Sequence, residues 1–312
     1  MIARRLFSPW PMAAIRDDPG ARLDAMKMRS LACLLALASV AAFAQQREFK
    51  PDKEIVFKQF EKDPLELHVF LPEGWKSSDR RAAAVFFFGG GWVGGTPTQF
   101  FPHSRYLASR GMVAISAQYR TRGSHGTTPR DCVADGKSAV RWVRKHAAEL
   151  GVDPNRIAAG GGSAGGHVAA TTGVIDGLEE KGEDSSVSSK PNALLLFNPV
   201  TDLGRFERWG DDPEAGSPLH HVDAGDPPTI VFHGKADTTV AFETAATFCD
   251  AMTDAGNRCE LVGYEGRPHG FFNYGRSRAA YTSTVWHMDR FLASLGYVEG
   301  QPMVGRPGDP TW

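Results

Sequence analysis

The sequence predicts an α/β protein, a mostly parallel eight-stranded sheet with helices on both faces. Three observations carry that prediction. Short apolar and β-branched runs alternate with longer helical patterns from residue 54 to residue 295. Several of those runs, Ala193-Leu194-Leu195-Leu196-Phe197 above all, are continuously apolar, as strands buried on both faces are. The 312 residues exceed a usual domain length, yet α/β domains of roughly 250 residues often close around one core. One domain is therefore expected over residues 45–297.

The chain opens with residues 1–25, which precede a signal-like segment; that order suggests a translation start at Met26 or Met28, and these residues are expected to stand outside the fold as a non-structural extension. Residues 26–44 follow with a basic start (Met26-Lys27-Met28-Arg29), an apolar middle over 31–42 and an Ala42-Phe43-Ala44 end. That order describes a cleavable secretory signal. The apolar run is too short for a bilayer, which needs about 20 residues, so no stable membrane insertion is expected after cleavage. The location this implies is secreted or periplasmic. Cys33 sits at the start of the apolar run instead of closing it, which argues against a lipid anchor there.

Strands are expected at 54–57, 65–71, 83–88, 112–117, 156–160, 193–197, 229–233 and 259–264, with helices at 102–110, 131–149, 163–178, 244–255 and 281–295. In the second helix Val133, Val140 and Val143 suit a stripe against the sheet, while Lys137, Arg141 and Arg144 are expected to face water. Gly151 ends that helix, and Asp153-Pro154-Asn155 turns the chain toward the next strand. Residues 182–190 and 204–228 are rich in Ser, Gly, Pro and Asp and read as surface loops. The tail 298–312 has few apolar residues and is expected to be loosely ordered. A formal net charge of −1 with no long basic run excludes a nucleic-acid footprint.

Chemistry concentrates at three places. Gly161-Gly162-Ser163-Ala164-Gly165 fits G-x-S-x-G where a predicted strand meets a predicted helix. A sharp strand-to-helix turn there lifts a serine hydroxyl above the sheet, and it needs small flanking residues because a side chain would strike the neighbouring backbone. Upstream, Phe86-Phe87-Phe88-Gly89-Gly90-Gly91-Trp92 ends a strand in a glycine turn whose N–H groups can be aimed at developing negative charge. Downstream, Asp237 lies just beyond the seventh expected strand and His269 in a Gly/Pro-rich loop after the eighth. Ser163, Asp237 and His269 thus stand at the carboxyl edge of one sheet, the order expected of nucleophile, acid and base. Among the other histidines, His167 is expected to pack, His220 and His221 to lie on the surface, and His233 to support the turn to Asp237. Asp202 is the rival acid. No H-E-x-x-H, paired cysteine ligands or phosphate loop occurs, so neither metal nor cofactor is expected.

Taken together, the glycine turn, Gly161-Gly162-Ser163-Ala164-Gly165-Gly166-His167, His233-Gly234-Lys235-Ala236-Asp237 and Pro268-His269-Gly270-Phe271 resemble the α/β-hydrolase superfamily. Within it the likeness is to hormone-sensitive-lipase-like esterases and to secreted bacterial acetyl- and feruloyl-esterases, and it spans about residues 54–295. The resemblance implies the α/β-hydrolase fold, hydrolysis of a small-molecule or polysaccharide ester, and an oxyanion hole from the amides of Gly90, Gly91 and Ala164. One departure is that Phe88 stands where the family motif often has His. A prolyl-oligopeptidase-like peptidase shares these motifs, and a non-catalytic binding protein shares the fold. Trp92 beside the glycine turn and Trp209 in the 204–228 loop are candidates for contact with substrate. No long insertion able to form an apolar lid is evident, which favours short acyl groups. Of the cysteines left after signal removal, Cys249 and Cys259 flank one helix-to-strand link and are expected to pair, leaving Cys132 free.

Overall fold

The chain divides into two units, Met1–Lys50 and Pro51–Trp312. The computed structural model describes residues 49–61, 63–206 and 209–307. The expected extension and signal lie outside the described residues.

The second unit is built on one sheet of eight strands: β1 (Lys53–Lys58), β2 (Leu65–Phe70), β3 (Arg81–Phe87), β4 (Val113–Ala117), β5 (Val152–Gly162), β6 (Ala193–Phe197), β7 (Thr229–Gly234) and β8 (Cys259–Tyr264). Their order is β1-β2-β4-β3-β5-β6-β7-β8. The β1/β2 and β2/β4 pairs are antiparallel, and every pair from β4 through β3 to β8 is parallel. The eight expected strands are all present.

Helices cover both faces, and the strand alternation decides which residues meet them. On β6, Leu194 and Leu196 join Val140, Val168, Phe248 and Met252 in one core cluster. Those partners come from α3 (Pro129–Lys145), α5 (Ala164–Val174) and α6 (Phe242–Asp254). Leu195 and Phe197, pointing the other way, join Leu107, Val285, Met288 and Phe291 from α1 (Phe101–Ser109) and α7 (Arg278–Ser294). With both faces covered, each fully buried Leu or Phe contributes about 1.5 to 3 kcal/mol relative to exposure.

The differences from the expected elements have local causes. The helix expected over 131–149 begins earlier because Pro129 takes its first position and Asp131 accepts from the Thr128 N–H at 2.8 Å. It breaks at His146, after which a single turn, α4 (Ala147–Leu150), ends on Gly151 in the left-handed region at φ 64°. The turn at 153–155 is absorbed into β5 as an irregularity, the register slipping between Arg81↔Val152 and Ala83↔Ile157. The short helix α2 (Arg122–His125) falls in a stretch with no expected element.

Two expectations are corrected. Lys137 and Arg141 do not face water: they are buried, with Lys137 Nζ donating to the Ile175 carbonyl at 2.7 Å and Arg141 paired with Glu179 and Glu183. The polar segment after α5 folds back over α3 and supplies the carboxylates, which offset the cost of burying these cations. The tail is also tied down over residues 298–307. Val298 is buried, and Arg110, whose guanidinium is held by Asp289, donates to the Glu299 carbonyl at 2.8 Å.

Cys249 on α6 and Cys259 at the start of β8 form a disulfide with a Cα–Cα distance of 5.4 Å, and Cys132 is a buried free thiol.

Candidate active site

Strand β5 ends at Gly162, and the next residue turns the chain into α5. Ser163 occupies φ 55°, ψ −119°, a conformation a non-glycine residue holds only when its surroundings impose it. Here they do. The Ser163 N–H donates to the Phe197 carbonyl at 2.9 Å, and the Ser163 carbonyl accepts from the His167 N–H at 2.9 Å. The flanking glycines are steric requirements: a Cβ on Gly161 would lie 2.3 Å from the Gly165 carbonyl oxygen, and one on Gly165 would lie 2.2 Å from that of Phe87.

His269 Nε2 lies 2.9 Å from Ser163 Oγ, and His269 Nδ1 lies 2.6 Å from Asp237 Oδ2. An ionised carboxylate only accepts, so Nδ1 carries the proton and Nε2 is left to accept the serine O–H. Asp237 is buried. Burial works against its charge, but the adjacent His233 ring, the hydrogen bond from His269 and that from the Val240 N–H outweigh that cost and hold the carboxyl well below the usual carboxylate range. The Thr239 and Val240 N–H groups reach its Oδ1 at 2.9 and 3.0 Å. His233 performs the supporting role expected of it, with Nε2 donating to the Val240 carbonyl at 2.9 Å and standing 3.4 Å from Asp237 Oδ2. The rival, Asp202, instead accepts from its own loop at the Gly204 N–H.

Gly90, Gly91 and Ala164 line the cavity of about 400 Å³ in front of Ser163. Ala164 is the first residue of α5, so its N–H has no partner within the helix. The turn holds its shape without the histidine that the family motif often carries at position 88. Phe88 stacks on Tyr119 with ring centroids 4.2 Å apart, and Tyr119 Oη donates to the Phe88 carbonyl at 2.6 Å.

Trp92 lines the same cavity, buried and edge-on to Phe206 at 5.6 Å and to His167 at 5.3 Å. It forms a wall and not an exposed stacking surface. Trp209 is not among the described residues that line the cavity. It packs against His167, with ring centroids 5.7 Å apart, and so close over Gly216 that a Cβ there would lie 2.1 Å from the indole. His167 Nε2 donates to the Gly216 carbonyl at 2.8 Å, which ties the 204–228 loop to α5.

Four further residues enter the site that the sequence did not single out. Asn198 Oδ1 accepts from the Gly270 N–H at 2.9 Å and so fixes the residue next to His269; its own φ of 36° suits an asparagine. Gln99 accepts from the Gly89 N–H at 2.6 Å and donates to Asn273 at 2.9 Å, and Asn273 in turn donates to the Gly270 carbonyl at 2.8 Å. This chain of bonds joins the glycine turn to the histidine loop. Arg276 Nη1 donates to the His269 carbonyl at 2.8 Å. Only Asn198 had a signal, a polar residue immediately after a fully apolar strand.

A serine hydroxyl bonded to a carboxylate-oriented imidazole, beside a glycine turn and a helix start, is equipped for nucleophilic attack on an acyl carbon. Comparison with known proteins agrees with that capacity. A family model described as BD-FAE matches residues 67–215, and that of the prolyl oligopeptidase family matches residues 190–294. The propionate-bound structure of a thermophilic esterase from Thermogutta terrifontis is 51% identical, with a TM-score of 0.78, covering 81% of this chain and 98% of that one. The same organism's esterase 2 phosphorylated by paraoxon is 53% identical at a TM-score of 0.78, covering 80% and 96%.

The chain belongs to the α/β-hydrolase superfamily, among its hormone-sensitive-lipase-like serine esterases.

Curated relatives agree with that family at greater distance. The probable carboxylic ester hydrolase LipM of Mycobacterium tuberculosis is 30% identical over 66% of this chain and 53% of its own length. A probable isoprenylcysteine alpha-carbonyl methylesterase of Arabidopsis thaliana is 28% identical over 65% and 48%. The chain thus spans about half the length of the curated relatives it matches.

Proposed function

We propose that the protein is an exported serine carboxylesterase that removes short acyl groups, acetyl or feruloyl groups on carbohydrates among them, through an acyl-enzyme. The observation that carries this reading is the unbroken path from Ser163 Oγ through His269 to Asp237, with contacts of 2.9 and 2.6 Å, opening on a cavity of about 400 Å³.

In this reading Ser163 Oγ attacks the ester carbonyl while its proton passes to His269 Nε2, and Asp237 stabilises the imidazolium. The carbonyl oxygen becomes an oxyanion and receives hydrogen bonds from the amides of Gly90, Gly91 and Ala164. As the tetrahedral intermediate collapses, His269 returns the proton to the departing alcohol. A water molecule, deprotonated by the same ring, then attacks the acyl-enzyme, releases the acid and restores Ser163. Propionate and butyrate are bound in two of the Thermogutta terrifontis esterase structures. That supports short acyl groups for a chain 50 to 51% identical to it. The walls made by Trp92 and Phe206 suit a small apolar group.

A fluorophosphonate probe should add its mass to the peptide bearing Ser163 and to no other. In a series of aryl esters, kcat/KM should be highest from acetyl to butyryl and fall beyond about C6, since each CH₂ that finds no wall forgoes about 0.8 kcal/mol. An increase through longer chains would redirect the assignment to a lipase. The prolyl oligopeptidase match over residues 190–294 favours a second reading as a peptidase. Faster turnover of an aminoacyl-proline anilide than of an aryl acetate would select it.

A further inference from the structure

The cavity in front of Ser163 has two kinds of lining. Trp92 and Phe206 pack edge to face with ring centroids 5.6 Å apart. Gln99, Asn273 and Arg276 belong instead to the hydrogen-bonded group around His269, through Gly270 and the His269 carbonyl. Apart from the titratable His269 ring, Arg276 is the one charged side chain among the described residues that line this cavity. Among the described residues no carboxylate pairs with it, and of the five N–H donors of a guanidinium only the one to His269 O, at 2.8 Å, is committed to another described residue. The side chain is exposed but anchored, so its remaining donors are presented at the mouth of the cavity and not swept through solvent.

The chemistry of the reaction says which half of an ester meets this group. His269 must reach the alcohol oxygen to protonate it as it leaves, so the alcohol half departs on the His269 side of the cavity. Arg276 is bonded to the backbone of that same histidine. We infer that Arg276 selects esters whose alcohol half carries a carboxylate, held by a charge-assisted and, where geometry permits, bidentate contact. The inference rests on the esterase reading proposed above and adds a substrate class to it: short-acyl esters of acidic alcohols, such as a hydroxy acid or a sugar acid.

The competing role for Arg276 is to pin the histidine loop, and two substitutions separate the two. Arg276→Gln keeps a polar amide but removes the charge; Arg276→Lys keeps the charge. The probes are 4-acetoxybenzoate and 4-acetoxybenzamide, which share the acyl group and the shape of the alcohol and differ in its charge. The readout is the ratio of their kcat/KM values, compared between proteins so that their intrinsic reactivities cancel. Arg276→Gln should lower the acid-to-amide ratio by roughly two- to fivefold, the scale of an exposed ion pair, while Arg276→Lys keeps most of it. Raising the salt to about 0.5 M should lower the wild-type ratio in the same direction, because an exposed pair is screened. If both esters are hydrolysed and the ratio is the same in wild type and Arg276→Gln, the selectivity role is overturned and the pinning role stands. If neither ester is hydrolysed and the fluorophosphonate does not label Ser163, the esterase reading itself fails, and this inference with it.

Discussion

His103 offers a stability test worked directly from the structure. It is fully buried on α1, among the rings of Phe86, Phe100, Phe197, Phe272 and Tyr281 at centroid distances of 6.2, 5.0, 5.2, 6.0 and 4.9 Å. Neither ring nitrogen has a hydrogen-bond partner among the described residues. Burial alone pushes the imidazole down from 6.5 to about 3. Between these values the unfolded chain binds a proton at this position that the folded chain refuses. Stability from the neutral ring is therefore complete above pH 6.5 and is lost progressively as pH falls toward 3. At about pH 5, roughly 1.5 units below the unfolded value, the loss is about 2 kcal/mol from this residue, at ~1.4 kcal/mol per unit. His103→Phe keeps an aromatic ring in the cage and removes the titration. Urea unfolding of both proteins at about pH 7.5 and pH 5 measures the effect, and the variant should lose about 2 kcal/mol less than wild type between them. His167, pushed down to about 4 chiefly by burial, is present in both and cancels. Equal losses in the two proteins would refute the argument and mean that His103 is protonated in the fold or is reached by water.

The remaining predictions bear on the site and its scaffold. Ser163→Ala should abolish nearly all turnover while substrate still binds, leaving an acceleration of at most about 10³ to 10⁴ over water; substantial steady-state turnover by the purified variant would mean the nucleophile lies elsewhere. Asp237→Asn should fold normally and slow turnover by about 10⁴, because the ring of His269 loses the partner that selects its tautomer, and Asp202→Asn should do far less. Measured rates ranked the other way would move the acid to Asp202. The Cys249–Cys259 bridge closes a sequence separation of 10 residues, so Cys249→Ser should lower stability by about 2 to 3 kcal/mol on the chain-entropy account. Thiol titration of the unfolded, unreduced chain from residue 45 onward should find one free cysteine, Cys132.

Much of this architecture is written in local sequence. Strand β6 announces itself because a strand covered on both faces must be apolar at every position, and Ala193 to Phe197 are all buried. Ser163 is identifiable because the elbow admits almost no side chain beside it, a constraint that leaves a pattern of glycines. Asp237 and His269 follow from the same logic: in a parallel sheet the loops after the strands emerge at one edge, so residues after β7 and β8 are delivered to the end of β5. Pairing across the fold leaves no such pattern. Lys137 and Arg141 look like a solvated face because their helix shows only its own periodicity; the Glu179 and Glu183 that neutralise them come from another segment. Trp209 had the composition of a binding residue, but the path of its loop set it against His167. The bond from Gln99 to Asn273 spans 174 residues of sequence, and the place of Arg276 on the His269 carbonyl depends on how its loop closes. The sequence by itself determined the fold class and pointed to Ser163, His269 and Asp237 as side chains that meet at one sheet edge, because backbone geometry constrains residue type locally. The tertiary structure alone decided which charges are buried and which side chains wall the cavity, because those depend on the partner that another part of the chain brings into reach.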